Sequence, residues 1–175
     1  VHTELDYKEL LHSLFFDYRF KGTGRSTAYF GDFHYAYGGT THCPNPIDAN
    51  RYICKARDII KHVFPAININ SALVNYYPNS SSFLPFHADD ELEIAPASYI
   101  FTLSLGSSRQ IAFRRKGTGT DLYQVTLDNW DLLIFSKSSQ SNFCHSILPN
   151  NAGSVAATNS DKLSVTNGDR LSVTF

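Results

Sequence analysis

Short β-rich runs at nearly even spacing, each bounded by Gly, Pro, Asn or Ser, fill the sequence after residue 66. These runs cover residues 67–77, 98–105, 110–114, 121–127, 132–135, 144–148 and 171–175. Strands of this length separated by turn-forming residues are typical of sandwiches and jelly rolls. The pattern therefore predicts an α+β, mainly β fold whose jelly-roll core covers about residues 67–175.

Two amphipathic segments precede the β-rich part, and both have the apolar spacing of helices. The first, residues 3–18, begins with Thr3 and Asp6 in an arrangement that resembles a capping box. The second follows Asp48 and should end near Pro65, because the residue before a proline disfavours helical backbone. The apolar faces consist of Tyr7, Leu10, Leu11, Leu14 and Tyr18 in the first segment and of Tyr52, Ala56, Ile59 and Val63 in the second. We expect both helices to support one face of the β core.

The length of 175 residues suits one domain, and we predict that residues 1–175 form a single domain. A composition of 42% apolar and 14% aromatic residues excludes a disordered chain. No apolar run approaches the roughly 18 residues that a membrane helix needs, so we expect no membrane segment. Lys and Arg number 15 against 16 Asp and Glu, so nucleic-acid binding would depend on a local patch rather than on the overall field.

The three cysteines, Cys43, Cys54 and Cys144, are odd in number and form no C-x-x-C pair. This usage indicates a reducing compartment, and we expect a cytoplasmic protein. The His-Cys dipeptide at 42–43 and the Cys-His dipeptide at 144–145 leave a zinc site open as an alternative. They lack the close ligand pairs of structural zinc modules.

The sequence Leu-Ser-Val-Thr occurs twice near the C-terminus, at residues 163–166 and 171–174. Asn167 and Gly168 lie between the two copies, and Asn-Gly is the dipeptide most typical of a two-residue hairpin. The last strand is therefore predicted to fold back on its own duplicate.

His87 and Asp89 form an H-x-D pattern that predicts half of a metal site. Side chains two positions apart on a strand project from the same face, so both can reach one ion. His145 lies on a predicted late strand, and a jelly roll brings distant strands together, so it is the candidate for a third ligand. Two histidines and one carboxylate leave the other metal positions open, as in non-heme Fe(II) oxygenases. A solvated acidic turn beside a buried histidine remains the alternative.

Arg170 opens the last predicted strand and is the candidate anchor for a dicarboxylate. Non-heme oxygenases that consume 2-oxoglutarate must hold its far carboxylate, and a guanidinium can do so through two parallel hydrogen bonds. Lys162 occupies the corresponding place in the duplicate and is a rival candidate. A second alternative makes Arg170 an edge-strand residue that prevents aggregation.

Four separated stretches carry a family resemblance: RSTAYFGDFHYAYGG (25–39), NYYPNSSSFLPFHADDELEIAPASYIFTLSLG (75–106), CHSILP (144–149) and RLSVTF (170–175). In this order they resemble the AlkB family of Fe(II)- and 2-oxoglutarate-dependent nucleic-acid demethylases, over about residues 25–175. The resemblance implies a double-stranded β-helix, or jelly roll, with N-terminal supporting helices and a nucleotide-recognition lid at about 25–39. The H-A-D-D-E motif is most similar to AlkB domains in plant RNA virus replicases.

That narrower resemblance fits a second observation, because the chain starts at Val1 and contains no methionine. We therefore expect a piece of a larger polyprotein that works in the host cytoplasm.

The resemblance implies a role for each matching residue around the metal. The implied iron ligands are His87, Asp89 and His145. The residues implied to bind 2-oxoglutarate are Asn75, Tyr77, Arg170, Ser172 and Thr174.

The resemblance also implies contacts to a methylated nucleic acid. The lid would contribute Tyr35 and Tyr37, and we expect Tyr37 to stack on the flipped base, with simple packing of that ring as the alternative. Glu91 would contact the exocyclic edge of the base with Asp90 beside it. Arg25 and the basic run 114–116 are candidates for phosphate contacts, although a solvated charged turn explains that run equally well.

The sequence departs from the family pattern at three positions. Members usually continue the last strand as Thr-Phe-Arg, whereas this sequence ends at Phe175 and lacks the second arginine, which lowers the cofactor affinity that we expect. Ser172 stands where many relatives have Asn, and Trp130 stands where a glycine is usual. We expect neither substitution to abolish the chemistry.

The implied activity is oxidative demethylation of N-methylated bases in RNA, and also in single-stranded DNA. It would use Fe(II), 2-oxoglutarate and O2 and release succinate, CO2 and formaldehyde, in RNA repair or in removal of RNA methyl marks. Two alternatives stay open at this point. One is a 2-oxoglutarate oxygenase that acts on a peptide or small metabolite, and the other is a non-enzymatic jelly-roll binding module.

Overall fold

Antiparallel strands dominate the part of the chain that the computed structural model describes, which comprises residues 5–95, 98–150 and 168–175. The helices are α1 (Tyr7–Ser13), α2 (Arg51–Val63) and α3 (Lys137–Asn142), and a single 3-10 turn covers Ile47–Ala49. The strands are β1 (Tyr18–Phe20), β2 (Arg25–Gly31), β3 (Tyr35–Tyr37), β4 (Thr40–His42), β5 (Ser71–Tyr77), β6 (Leu84–His87), β7 (Ile100–Gly106), β8 (Arg109–Arg115), β9 (Asp121–Leu127), β10 (Leu132–Phe135), β11 (Phe143–Ile147) and β12 (Arg170–Thr174).

Two antiparallel sheets form the β core. The larger sheet has the strand order β1-β2-β5-β12-β7-β10, the smaller one has the order β6-β11-β8-β9, and β3 and β4 form a separate hairpin. Tyr77 of the larger sheet and Ile147 of the smaller sheet belong to one apolar cluster, so the sheets pack face to face. Most neighbours within a sheet are distant in sequence, as in a jelly roll. The arrangement confirms the predicted mainly β jelly-roll fold.

Helices α1 and α2 pack on the outer face of the larger sheet, as predicted from their apolar faces. The shared cluster includes Leu10, Ile53 and Ala56 from the helices and Val74, Leu103, Leu171 and Val173 from the strands. Fully burying one aliphatic side chain of this size contributes roughly 1.5–3 kcal/mol. Because strand side chains alternate, the residues between these apolar positions on β5 and β12 face the opposite side of the sheet. That inner side holds the candidate site.

The helix boundaries differ from the predicted ones. The side chain of Asp6 accepts a hydrogen bond from the Glu9 amide and caps α1, which ends at Ser13 rather than at residue 18. Leu14 is already extended, because the chain must turn to pair β1 with β2. Asn50, not Asp48, caps α2.

Strand β12 lies inside the larger sheet, which contradicts the predicted C-terminal hairpin. Arg170–Thr174 pairs with β5 along one edge and with β7 along the other. Both edges are therefore occupied, and the last strand does not fold back on a duplicate. The duplicate at 163–166 and the rival candidate Lys162 lie outside the described residues.

Several elements were not predicted from the sequence, namely β1, β2, the β3–β4 hairpin and β6. Strand β2 starts the segment that was predicted as a lid, but it pairs with β5 in the larger sheet. The β3–β4 hairpin, which we call the lid hairpin, forms a separate two-stranded sheet. Helices in the described ranges are all too short or too polar to cross a bilayer.

Candidate metal and cofactor site

The three predicted metal ligands meet where β6 and β11 pair. His87 is the last residue of β6, and His145 lies opposite it in antiparallel register on β11. The two imidazole centroids are 4.2 Å apart. Asp89 follows two residues after His87, just beyond the end of the strand. Strand pairing thus brings together side chains that are far apart in the sequence.

The geometry of the triad suits one divalent ion. Asp89 Oδ1 lies 3.3 Å from His87 Nε2, and Asp89 Oδ2 lies 3.6 Å from His145 Nε2. One ligand atom from each residue can be chosen so that all lie within 4.8 Å of one another. Two imidazoles and one carboxylate on one side of an ion leave the remaining positions for other ligands, the arrangement of non-heme Fe(II) oxygenases. In the described ranges this is the one cluster of three such ligands.

The zinc alternative is wrong for the described residues. His42 is buried and its Nδ1 lies 2.6 Å from Asp17 Oδ2, so it is engaged far from the triad. Cys43 and Cys144 are free thiols that join no metal cluster. The two dipeptides are therefore not parts of one site.

The protonation preferences of His145 and Asp89 favour metal binding, whereas His87 must lose a proton that Asp89 helps it to hold. His87 Nδ1 lies 2.9 Å from the Pro85 carbonyl oxygen; donation of its proton to that oxygen leaves Nε2 as the ligand atom. Burial opposes protonation of His87, but the hydrogen bond and charge of Asp89 outweigh burial and raise its pKa. Burial and the neighbouring charge of His87 lower the pKa of His145 to about 4, so this ring is neutral at pH 7. Burial favours the neutral acid form of Asp89, yet the two histidines hold its pKa below the usual value.

A cavity of about 910 Å³ opens beside the triad, and the inner faces of β5 and β12 line it. The implied cofactor residues that border it are Asn75, Tyr77, Ser172 and Thr174. The Asn75 amide oxygen accepts a hydrogen bond from Arg25, so its amide nitrogen is the group that it can offer to a ligand.

Arg170 lies at the end of this row and is fully buried. Its Nη2 donates a hydrogen bond of 2.7 Å to Ser104 Oγ, while Nε and Nη1 have no partner of normal hydrogen-bond geometry in the part of the chain that the structure describes. A buried guanidinium with unpaired donors is unfavourable, and a carboxylate is the group that pairs with it best. The residues therefore fit 2-oxoglutarate, and the alternative of an edge-strand residue is wrong because β12 is central.

The charge balance around Tyr77 leads to the same conclusion. The charged side chains classed as buried among the described residues are Arg25, Arg109 and Arg170, and no Asp or Glu is buried as deeply. Burial raises the pKa of Tyr77, and the charges of all three guanidiniums oppose that rise. The Arg170 guanidinium carbon lies 5.4 Å from the centroid of the Tyr77 ring. A bound dicarboxylate offsets part of this excess positive charge.

The structure corrects the prediction for Arg25. Its side chain is 3% exposed, lies 4.0 Å over the Phe20 ring and donates from Nη1 to both the Tyr37 hydroxyl and the Asn75 amide oxygen. A guanidinium held in this way cannot contact a phosphate at the surface. Arg25 instead joins the lid hairpin to the cofactor pocket.

Tyr37 borders the cavity but is mostly buried within the lid hairpin. It is 7% exposed, and its ring is nearly parallel to that of Tyr35 with centroids 6.0 Å apart, which leaves no space for a base between them. This favours the packing alternative for Tyr37. Tyr35 lines the cavity and stacks on Tyr29 at 5.3 Å. Burial raises the pKa of Tyr35 and of Tyr37, so both phenols stay neutral.

Two exposed aromatics on the cavity border were missed by sequence reasoning. Phe33, in the turn between β2 and β3, is 73% exposed, and Tyr99, before β7, is 60% exposed. The side chains of Phe33 and Tyr99 are therefore accessible for stacking with a planar ring of a ligand. The signal was available for Phe33, since an aromatic flanked by Asp32 and His34 in a turn has no core to enter.

The acidic residues after Asp89 divide between two environments. Asp90 is exposed, forms a 2.8 Å ion pair with Lys116 and does not line the cavity, so the predicted base contact is wrong for it. Glu91 does not line the cavity either, so its predicted contact with the base stays a prediction. It is half-buried, its Oε2 lacks a partner among the described residues, and burial raises its pKa. Glu93 lines the cavity and accepts a 3.4 Å hydrogen bond from the Ala36 amide.

The basic run at 114–116 is partly engaged in contacts within the protein. Lys116 pairs with Asp90, and the Arg114 guanidinium lies 3.9 Å over the Phe86 ring. Arg115 is exposed.

Gln140 is a further residue at the site that the sequence did not reveal. It is 5% exposed and forms hydrogen bonds with both the backbone and the side chain of Asp89. Its partner lies 51 residues earlier in the chain, and its own neighbourhood is a run of serines, so no local pattern marks it.

Comparison with known proteins agrees with this geometry. Residues 18–175 match the family model described as the 2OG-Fe(II) oxygenase superfamily. The bovine (Bos taurus) protein named alpha-ketoglutarate-dependent dioxygenase alkB homolog 3 is 28% identical over 131 residues, which cover 70% of this chain and 45% of that protein. The mouse (Mus musculus) protein named DNA oxidative demethylase ALKBH2 is 28% identical over 132 residues, which cover 70% of this chain and 54% of that protein.

A solved structure, that of OsALKBH1, superposes with a TM-score of 0.58 and 21% identity over 93% of this chain and 83% of that one. The likeness supports the jelly-roll fold. The chain spans about half the length of the two sequence relatives.

Proposed function

The chain belongs to the 2OG-Fe(II) oxygenase superfamily, its cofactors are Fe(II) and 2-oxoglutarate, and we propose that it demethylates N-methylated bases in RNA and in single-stranded DNA. The observation that carries the proposal is the meeting of His87, Asp89 and His145 beside a cavity that the lid also lines. Relatives of the AlkB type, one of them named a DNA oxidative demethylase, support the nucleic-acid substrate class.

Each group of residues has a distinct task in this proposal. His87, Asp89 and His145 hold Fe(II), and Arg170 with Asn75 and Tyr77 holds 2-oxoglutarate. Bound Fe(II), with 2-oxoglutarate and O2, supplies oxidation of the methyl C–H bond and yields succinate and CO2. The hydroxylated methyl group then leaves the base nitrogen as formaldehyde. The protein positions the methyl group, keeps water away and orients the cofactor.

The cavity is large enough for more than the cofactor. Its volume of about 910 Å³ falls within the range of small-molecule sites, and the exposed rings of Phe33 and Tyr99 lie on its border. Stacking of one base on an aromatic side chain contributes roughly 1–3 kcal/mol. A base must leave its stack to reach the metal, which costs least in a single strand. These properties support a single-stranded nucleic acid as the substrate.

The biological setting is a further part of the proposal. The similarity of the H-A-D-D-E motif to plant RNA virus replicases supports a place within a replicase polyprotein and work in the host cytoplasm on viral RNA. The formal net charge of −1 gives no long-range attraction for RNA, so the parent polypeptide would contribute to RNA capture.

The test combines cofactor binding with turnover. Anaerobic titration with Fe(II) and 2-oxoglutarate should give one site each. Formaldehyde and succinate release should then be measured with methylated RNA, with unmethylated RNA of the same sequence and with methylated single-stranded DNA. Turnover that ignores the methylated oligonucleotides would favour a peptide or metabolite substrate. Failure to bind iron would favour a binding module.

Two neighbouring carboxylates provide a matched pair of variants for this assay. Asp89→Asn removes the metal-binding charge and should abolish iron-dependent turnover. Asp90→Asn makes the same chemical change one residue away, at an exposed ion pair, and should retain turnover.

A further inference from the structure

Gln140 contacts the carboxylate ligand from outside the triad. Its amide oxygen accepts a 3.0 Å hydrogen bond from the Asp89 backbone amide, and its amide nitrogen donates a 3.3 Å hydrogen bond to Asp89 Oδ2. The two groups of the carboxamide thus match one donor and one acceptor of the same residue. Gln140 is 5% exposed, so water competes little for these bonds.

The local structure holds Gln140 firmly in this position. The Ser136 side chain accepts a hydrogen bond from the Ser139 amide and caps α3, and β11 begins directly after the helix. Gln140 stands five residues before His145. One continuous segment therefore carries a ligand and also holds the side chain that binds the carboxylate ligand.

The hydrogen bond distinguishes the two oxygens of Asp89. Oδ1 lies 3.3 Å from His87 Nε2 and has no hydrogen bond from Gln140, whereas Oδ2 accepts the Gln140 amide. An oxygen that accepts an amide hydrogen bond is a weaker second ligand, and residues bonded to metal-binding carboxylates fix their orientation. Binding through Oδ1 alone keeps the other coordination positions free for a chelating cofactor.

We propose that Gln140 is a positioning residue that holds Asp89 as a one-oxygen metal ligand and so preserves the positions that 2-oxoglutarate occupies. The inference rests on the metal site of the proposed function. It concerns the binding of metal and cofactor rather than the methylated substrate, so it can be tested without any nucleic acid.

A purely structural role makes a different prediction. Gln140 also borders an apolar cavity of about 200 Å³ behind His145, together with Phe113, Tyr123 and Phe143. A shorter residue would enlarge this cavity and destabilise the protein without any effect on ligand choice. Gln140→Met keeps the length of the side chain and removes both hydrogen bonds. Gln140→Glu keeps the shape and, when ionised, places a second carboxylate beside Asp89.

The experiment measures Mn(II) affinity, because Mn(II) binds similar ligands without consuming O2, and then 2-oxoglutarate affinity for the Mn(II)-loaded protein. Asn142→Ala is the control, since Asn142 is exposed and its side-chain amide donates a hydrogen bond to the Ser138 carbonyl oxygen within α3, away from Asp89. We expect Mn(II) affinity to fall about 10–100-fold in Gln140→Met; the added carboxylate of Gln140→Glu attracts the cation, so that variant is judged by its 2-oxoglutarate affinity. We expect 2-oxoglutarate affinity to fall as well, and the control to match the unaltered protein. Anaerobic Fe(II) and 2-oxoglutarate should also give a shifted absorption band in the variants.

The outcomes separate this inference from the proposed function. Affinities within twofold of the unaltered protein and an unchanged band would overturn the role of Gln140 while leaving the demethylase proposal in place. A loss of Mn(II) binding free energy equal to the loss of unfolding free energy, with normal 2-oxoglutarate affinity, would assign Gln140 a structural role. That result would also overturn the inference. The expected affinities without demethylation of any oligonucleotide would uphold Gln140 and overturn the demethylase proposal. Absence of Mn(II) binding in the unaltered protein would overturn both.

Discussion

Arg170 on β12 donates a 2.7 Å hydrogen bond to the hydroxyl of Ser104 on the neighbouring strand β7, and Nε and Nη1 of its buried guanidinium have no hydrogen-bond partner of normal geometry within the described residues. Arg170 is not among the residues that border the cavity of about 910 Å³, but Tyr77, its partner on β5, does border it and has its ring centroid 5.4 Å from the guanidinium carbon. A permanently charged group in this state needs an anionic partner for its full stability. The relationship makes the affinity for 2-oxoglutarate depend on the planar shape of the guanidinium as well as on its charge.

We predict that Arg170→Lys lowers the affinity for 2-oxoglutarate about 10–100-fold, because an ammonium group cannot form two parallel bonds to a carboxylate and a hydrogen bond to a charged group contributes roughly 1.5–3 kcal/mol. Calorimetry with Mn(II)-loaded protein measures this change. Arg115→Lys makes the same substitution at an exposed site and should leave the affinity unaltered. Equal affinities in the two variants would show that Arg170 does not bind the cofactor.

The Arg25 link between lid and pocket gives a second prediction. Tyr37→Phe removes the 3.3 Å hydrogen bond from Arg25 to the Tyr37 hydroxyl but keeps the packed ring. We expect the unfolding free energy in urea to fall by about 1–2 kcal/mol, at the lower end for a bond to a charged group because the bond is long. Amide hydrogen exchange in β3 and β4 should become faster.

Tyr35→Phe is the control for that measurement, since the Tyr35 hydroxyl does not bond to Arg25. A stability loss in Tyr35→Phe equal to that in Tyr37→Phe would mean that Arg25 does not hold the lid through this hydroxyl.

Trp130 gives a third prediction, because it is the one non-glycine residue with a positive φ, 76°, in the described part of the chain. The family resemblance places a glycine at this position. A side chain in left-handed conformation costs roughly 1–2 kcal/mol, which glycine avoids. Trp130→Gly should therefore be more stable than Trp130→Ala by about 1 kcal/mol, which reverses the usual order of these two residues. Both variants lack the indole, so the comparison isolates the backbone.

Urea unfolding of the Trp130 pair is the measurement, and Ile134→Gly against Ile134→Ala in β10 is the reference pair with ordinary strand backbone. There alanine should be the more stable residue. If the alanine variant were the more stable one at both positions, the backbone at Trp130 would not be strained.

The metal ligands could be predicted from the two-residue spacing of His87 and Asp89 and from the jelly-roll topology, which supplies His145 from a distant strand. The strand ends at His87, so Asp89 reaches the site from beyond the strand end and not from the same strand face. Strand periodicity does hold within β5 and β12. The same rule explains Asn75, Tyr77 and Ser172, which alternate with apolar residues that face the helices. This alternation can be predicted even when the ends of a strand are placed wrongly by a few residues.

The remainder depended on contacts that local patterns do not contain. The predicted C-terminal hairpin rested on a turn dipeptide, which cannot report that both edges of β12 are occupied by β5 and β7. The burial of Tyr37 and the surface position of Asp90 were likewise not evident from neighbouring residues. Tyr37 bonds to Arg25, and Asp90 pairs with Lys116, and both partners are distant in the sequence. Gln140 is the extreme case, because its role depends entirely on a contact across 51 residues.

The last prediction concerns His145, whose loss should remove the metal site and leave the fold in place. The ring is 7% exposed and packs 4.6 Å from Phe135, so His145→Ala creates a small cavity, but its low pKa of about 4 means that no buried charge is left unpaired. We expect a stability loss of about 2–3 kcal/mol, comparable to other large-to-small core changes, together with complete loss of Mn(II) binding by electron paramagnetic resonance. His34→Ala is the control, since His34 lines the same cavity but lies outside the triad, and it should retain the metal. An unfolded His145→Ala variant would show that this imidazole serves the core first, and normal Mn(II) binding by a folded variant would remove it from the set of ligands.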